Sequence, residues 1–200
     1  MIDDIRSGDL IFVSGKGLCS WGIQLGTLSA PNVGPLGRWG LAGASHVGVA
    51  CTVWDQLLIY ESTSFARPPC QRTGRENPTG VQAHRLDDIL VAGGDVWHFP
   101  LRAPLYDDEE IRLLNVLESF LGRPYDMVGA GKSGGALVMR TVQRLLGSED
   151  MSNVFCSELA VKALCTVGRM QHRNAGAWSP QRLARFCYRH GVTESGTLLN

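Results

Sequence analysis

Strand-forming runs come first in this chain and helix-forming runs come after, and that order limits the fold more than any other feature. Residues 9–13 are a short apolar run after a Ser-Gly turn, residues 46–53 and 57–61 flank a tight connection at Trp54 and Asp55, and residues 81–86 and 96–101 follow. Short runs of β-branched and aromatic residues between turn formers read as strands. Their brief connections favour an antiparallel meander over the helical crossovers of a parallel sheet. Asp107, Asp108, Glu109 and Glu110 then supply a cap and a negative first turn, and Ile111, Leu114, Leu117 and Leu121 fall on one helical stripe that stops at Gly122. Further helices are expected over 136–146, over 156–167 and after Ser179-Pro180, each closed by a glycine. The fold class is therefore α+β.

Composition fixes the scale. Two hundred residues, 44% hydrophobic and 19% charged, suit a single domain over 1–200 that buries a core without staples. Nineteen basic residues balance nineteen acidic ones, so no global field draws the chain to nucleic acid, and no nucleic-acid partner is expected. No run reaches the roughly 18 apolar residues of a membrane span, so no integral membrane segment is expected. The start, MIDDIRSGDL, lacks a basic region followed by an apolar one, which makes the cytoplasm the expected location. The six cysteines and five histidines show neither CxxC nor HxxxH spacing. They read as thiols and imidazoles without a metal or other cofactor. GAGKSGG at 129–135 imitates a phosphate loop, but Asp126 stands where that loop requires Gly, so nucleotide binding is rejected. Two Gly/Pro-rich stretches, 31–43 and 67–80, are long enough to be binding loops or disordered.

The segment SNVFCSELAVKAL places Cys156 in the first turn of a helix capped by Ser152 or Asn153. Unpaired amides and the positive end of the helix dipole favour a thiolate there, as a nucleophile requires. A small buried hydrophobe occupies such a position equally well. His46 opens the strand HVGVACTV and Glu61 ends LLIYE. A hairpin turning on Trp54 and Asp55 puts His46 opposite Thr63 and diagonal to Glu61 on one face, whereas a slip of one residue separates them. Exposed strand-end polar residues are the alternative. Together, a Cys, a His and a carboxylate on three elements are the set that thiol-dependent acyl transfer needs: nucleophile, base and orienting acid.

The strings GDLIFV, SHVGVA, YES, LGRPYD and FCSELA together resemble the NlpC-like branch of the papain-fold cysteine hydrolases. In the ordinary arrangement the PY and Cys-Ser segments come first. Here they come last, which is similar to the circularly permuted YaeF/YiiX-like group of papain-like amidases, over residues 8 to about 165. The resemblance implies a papain-like fold, an antiparallel sheet or partial barrel packed against helices. It implies Cys156 as nucleophile, His46 as general base and acid, and Glu61 as the residue orienting His46. It also implies that Tyr125 lies near the thiol, either as an oxyanion donor or as an anchor for the helix start. Cys19, also followed by Ser, is a rival nucleophile that the order of segments disfavours.

The expected activity is cleavage of an amide bond in a peptide or amino-acid amide, such as a cell-wall peptide, through a thioester. The alternatives are acyl-lipid hydrolysis or transfer, and a non-catalytic binding module on the same fold. Arg169, Arg173, Arg182, Arg185 and Arg189 form either a cationic patch or a solvated helix face. The scattered tryptophans read as core, with Trp39, in a Gly-rich loop, as a candidate substrate contact.

Overall fold

A computed structural model describes residues 4–14, 44–64, 68–76, 79–125, 154–171, 174–175 and 178–199. Cys19, Trp39, Ser152, Asn153, Arg173, the 31–43 loop, the 129–135 glycines and the 136–146 helix lie outside the described residues. Strands β1 (Leu10–Ser14), β2 (His46–Val53), β3 (Gln56–Thr63) and β4 (Gly80–Arg85) precede a short helix α1 (Leu86–Val91) and strand β5 (Asp95–Phe99). Helices α2 (Asp107–Phe120), α3 (Cys156–Thr166) and α4 (Pro180–Arg189) follow, then a two-residue strand β6 (Thr197–Leu198). The described strands form one six-stranded sheet in the order β4-β3-β2-β1-β5-β6, and every strand pair is antiparallel. The fold is α+β with strands before the large helices. Helix α1, β6 and the end of β5 at Phe99 depart from the sequence expectation.

Both faces of the sheet are covered, which is why its strands read as apolar runs rather than as alternating ones. Leu10, Phe12, Val49, Leu58 and Tyr60 point to one side, against Leu113 and Leu117 of α2, Leu159 and Leu164 of α3 and Leu183 of α4. Ile11, Val13, Ala50, Ile59 and Val96 point to the other, against Ile5 and the α1 residues Leu86 and Ile89. Each such buried Val, Leu, Ile or Phe side chain contributes about 1.5–3 kcal/mol.

The buried stripe of α2 is Glu109, Leu113, Leu117 and Phe120, while Ile111 is exposed, so the expected Ile111–Leu121 stripe is rotated. The cause is Glu109, a charged residue on the inner face. Its carboxylate accepts the Tyr106 N–H and a two-pronged contact from Arg169, at 2.9 and 2.7 Å. Trp54 departs from the core reading. It sits 86% exposed at the β2–β3 turn, beneath the Arg72 guanidinium. Of the arginines read as a cationic patch or a solvated helix face, Arg182 lies over the Trp178 ring and Arg169 is bound to Glu109.

Candidate active site

The β2–β3 hairpin turns on Trp54 and Asp55, both with positive φ (48° and 63°), as a two-residue hairpin turn requires. This register pairs Val53 with Gln56 and Gly48 with Glu61. Glu61 thus shares a face with His46, and His46 Nε2 lies 2.5 Å from Glu61 Oε2. Glu61 is 1% exposed. Opposite it, Gly48 offers no side chain, and a Cβ there would meet Ile59 Cγ2 at 2.5 Å.

The neighbours of Glu61 on β3 point the other way and build the helix side of the site. Tyr60 donates its hydroxyl to Glu118 of α2 at 2.5 Å. Ser62 donates to the Val154 carbonyl at 2.5 Å, two residues before Cys156. One three-residue stretch of strand therefore holds the imidazole on one face and the approach to the thiol on the other, by the two-residue period of a β-strand.

Cys156 is the first residue of α3. The cap is Phe155 rather than Ser152 or Asn153, and the carboxylate of Glu158 accepts the Phe155 N–H at 2.8 Å. The segment before the helix is fixed on both sides. Val154 donates to the Pro124 carbonyl at 2.9 Å, and Val154 and Tyr125 form a parallel bridge. The Tyr125 ring meets Phe155 edge-on at 5.9 Å. Ser157, fully buried, donates to the Trp178 carbonyl at 2.5 Å. Cys156 is buried and forms no disulfide.

His46 is the first residue of β2, and its ring hydrogen-bonds to both Cys156 and Glu61. Burial by itself disfavours the imidazolium and is the largest single influence. The charges of Cys156 and Glu61, with hydrogen bonding to both, overcome it and hold the His46 pKa up to about 10, against an ordinary 6.5.

A further histidine completes the cluster. His84 on β4 is fully buried, with Nδ1 3.0 Å from Glu61 Oε1 and Nε2 3.1 Å from the Pro68 carbonyl. Pro68 belongs to the second Gly/Pro-rich stretch, so that loop does reach the site. The strand carrying His84 was legible in the sequence, but its partner was not, because fifteen or more residues separate it from β3 and no turn type sets the register. Register pairs Glu61 with Gln82 and Ile59 with His84, which leaves His84 diagonal to Glu61.

Among the described residues no three His, Cys, Asp or Glu side chains are grouped to hold a metal ion, and imidazole nitrogens already occupy both Glu61 oxygens. These residues do not fit a metal. Among the same residues no helix is long and apolar enough to cross a membrane.

No family model matches the chain, and no curated protein matches it. Among solved structures it is similar to a crystal structure of the metalloprotein YiiX from Escherichia coli O157:H7, at 18% sequence identity and a TM-score of 0.52, over 96% of this chain and 88% of that one. The likeness is one of fold, and the fold is YiiX-like.

Proposed function

We propose that this chain is a single-domain cysteine hydrolase on a permuted, NlpC-like papain fold, cleaving an amide bond through a thioester. The observation that carries the reading is the line Cys156, His46, Glu61, in which hydrogen bonds and electrostatic attraction to both neighbours hold His46 up to about pKa 10. A binding module has no physical need for that arrangement. The YiiX-like fold and the order of the sequence strings support the same reading. The free thiols of the described cysteines fit a reducing compartment such as the cytoplasm.

In this mechanism the Cys156 thiolate attacks the amide carbonyl. A C–S bond forms as the carbonyl electron pair moves to oxygen. The backbone N–H of Cys156, at the start of α3, receives that oxyanion, with Tyr125 as a second donor. Collapse breaks the C–N bond, and imidazolium His46 gives its proton to the departing amine. Neutral His46 then takes a proton from water as the water attacks the thioester. Collapse of this second intermediate releases the carboxylic acid and restores the thiolate, and the proton stays on His46.

The test is the iodoacetamide labelling rate of every cysteine, read by peptide mass spectrometry between about pH 5 and 9. Cys156 labels fastest in the wild type and slows in His46→Ala. Fastest labelling at Cys19, or uniform labelling of all six, overturns the assignment. With Cys156 established, turnover of amino-acid amides against acyl esters of lipids identifies the substrate class.

A further inference from the structure

The protons around Glu61 can be counted from its partners. A carbonyl oxygen only accepts, so the 3.1 Å contact with Pro68 requires a proton on His84 Nε2. The other ring nitrogen then faces a carboxylate oxygen at 3.0 Å. A lone pair facing a carboxylate lone pair repels it, so a second proton has to lie on the line from Nδ1 to Oε1. Glu61 and His84 therefore carry, between them, a proton beyond those of a carboxylate and a neutral imidazole. The pair is neutral as a whole, which removes most of the cost of placing a carboxylate at 1% exposure.

We propose that His84 is a positioning residue of the site: it neutralises Glu61 and pins Oε1, so that Oε2 is left aimed at His46. The proposal rests on the hydrolase reading for its consequence in catalysis, and on the contacts of His84 alone for the proton itself. His84 touches neither substrate nor sulfur. It acts on the reaction through Glu61, and the loop carbonyl of Pro68 acts through it in turn by fixing the ring's orientation.

The experiment uses the full chain labelled with nitrogen-15 in its histidines. At pH 7, one-bond N–H couplings are expected at both ring nitrogens of His84; a single protonated nitrogen, with Glu61 unprotonated by infrared difference against Glu61→Gln, overturns the proposal. In His84→Gln, whose amide can still reach Pro68 but not Glu61, the carboxylate charge falls wholly on His46. His46 is then expected to titrate at higher pH than in the wild type, while Cys156 alkylation at pH 7 falls roughly tenfold through the freed carboxylate. In His84→Asn, whose amide replaces the Nδ1 donor, alkylation returns towards the wild-type rate. A lower melting temperature with His46 titration unmoved in both variants marks a merely structural residue and overturns the proposal. The wild-type spectrum decides the proton even if a variant does not fold. Failure of Cys156 to label preferentially in the wild type rejects the hydrolase and leaves that spectrum standing.

Discussion

Tyr125 and Val154 form a parallel bridge that ties the start of the Cys156 helix to the chain leaving α2. The same chain is pinned to the sheet one step earlier. Val81 of β4 donates to the Arg123 carbonyl at 2.9 Å, and Gly122 donates back to the Val81 carbonyl at 2.9 Å. The thiol is therefore placed by a relay of backbone bonds from β4 through Arg123 and Tyr125 to Val154.

Gly80 is the tightest point of that relay. Its φ is +95°, and a Cβ there would lie 2.0 Å from the Arg123 carbonyl oxygen. Gly80→Ala is expected to lower the unfolding free energy by about 1–3 kcal/mol, since backbone on both sides leaves nothing flexible to yield. Urea unfolding measures the loss, and a parallel fall in Cys156 labelling shows that the relay places the thiol.

His46 should remain an imidazolium well into the alkaline range. Its folded value of about 10 stands above the ordinary 6.5, so its protonation contributes stability in full below about pH 6.5 and gives it up as pH rises through about 10. Because the charge of Cys156 is the first of the raising influences, Cys156→Ala is expected to bring the titration down. Proton NMR of the His46 ring measures both, and an unchanged midpoint in the variant rejects the pairing.

Glu61→Gln keeps the shape of the side chain and removes its charge. Hydrolysis by the variant is expected to fall by about 10²–10⁴-fold in kcat, with KM little changed, as for loss of a group that orients the base. Steady-state kinetics on the substrate identified by screening provides the measurement, and a change confined to KM contradicts the role.

Asp9, in the GDL string, has a structural task away from the thiol. Its Oδ2 lies 2.7 Å from His98 Nε2, and its two oxygens accept the N–H groups of Leu101 and Arg6 at 2.8 and 3.0 Å. Asp9→Ala leaves the buried His98 and Leu101 donors without this partner and is expected to cost about 3–5 kcal/mol in a denaturant titration. Labelling of Cys156 in the fraction still folded should match the wild type.

Cys51 and Cys187 provide internal controls for every labelling experiment. Burial is the main influence on both and pushes each thiol up to about 12. Both are expected to label far more slowly than Cys156 at pH 7, because the thiolate is the reacting form.

What the sequence determined by itself is local. The five main strands, the helices beginning at Asp107, Cys156 and Pro180, and the His46–Glu61 pairing all follow from short-range chemistry. The pairing was legible because a two-residue turn at Trp54 and Asp55 fixes the register of everything after it. Tertiary structure decided what lies far apart in the chain. It rotated α2 about Glu109, because Arg169, sixty residues on, compensates a charge that periodicity assigns to solvent. It replaced the expected Ser152 or Asn153 cap by Phe155, with Glu158 reaching back to the Phe155 N–H. It brought His84 to Glu61 across a connection whose length sets no register, and it brought Cys156 to His46 although 110 residues separate them in the sequence. Local rules fix a turn or a cap within a few bonds, whereas contacts between distant residues depend on how whole faces bury their apolar surface together.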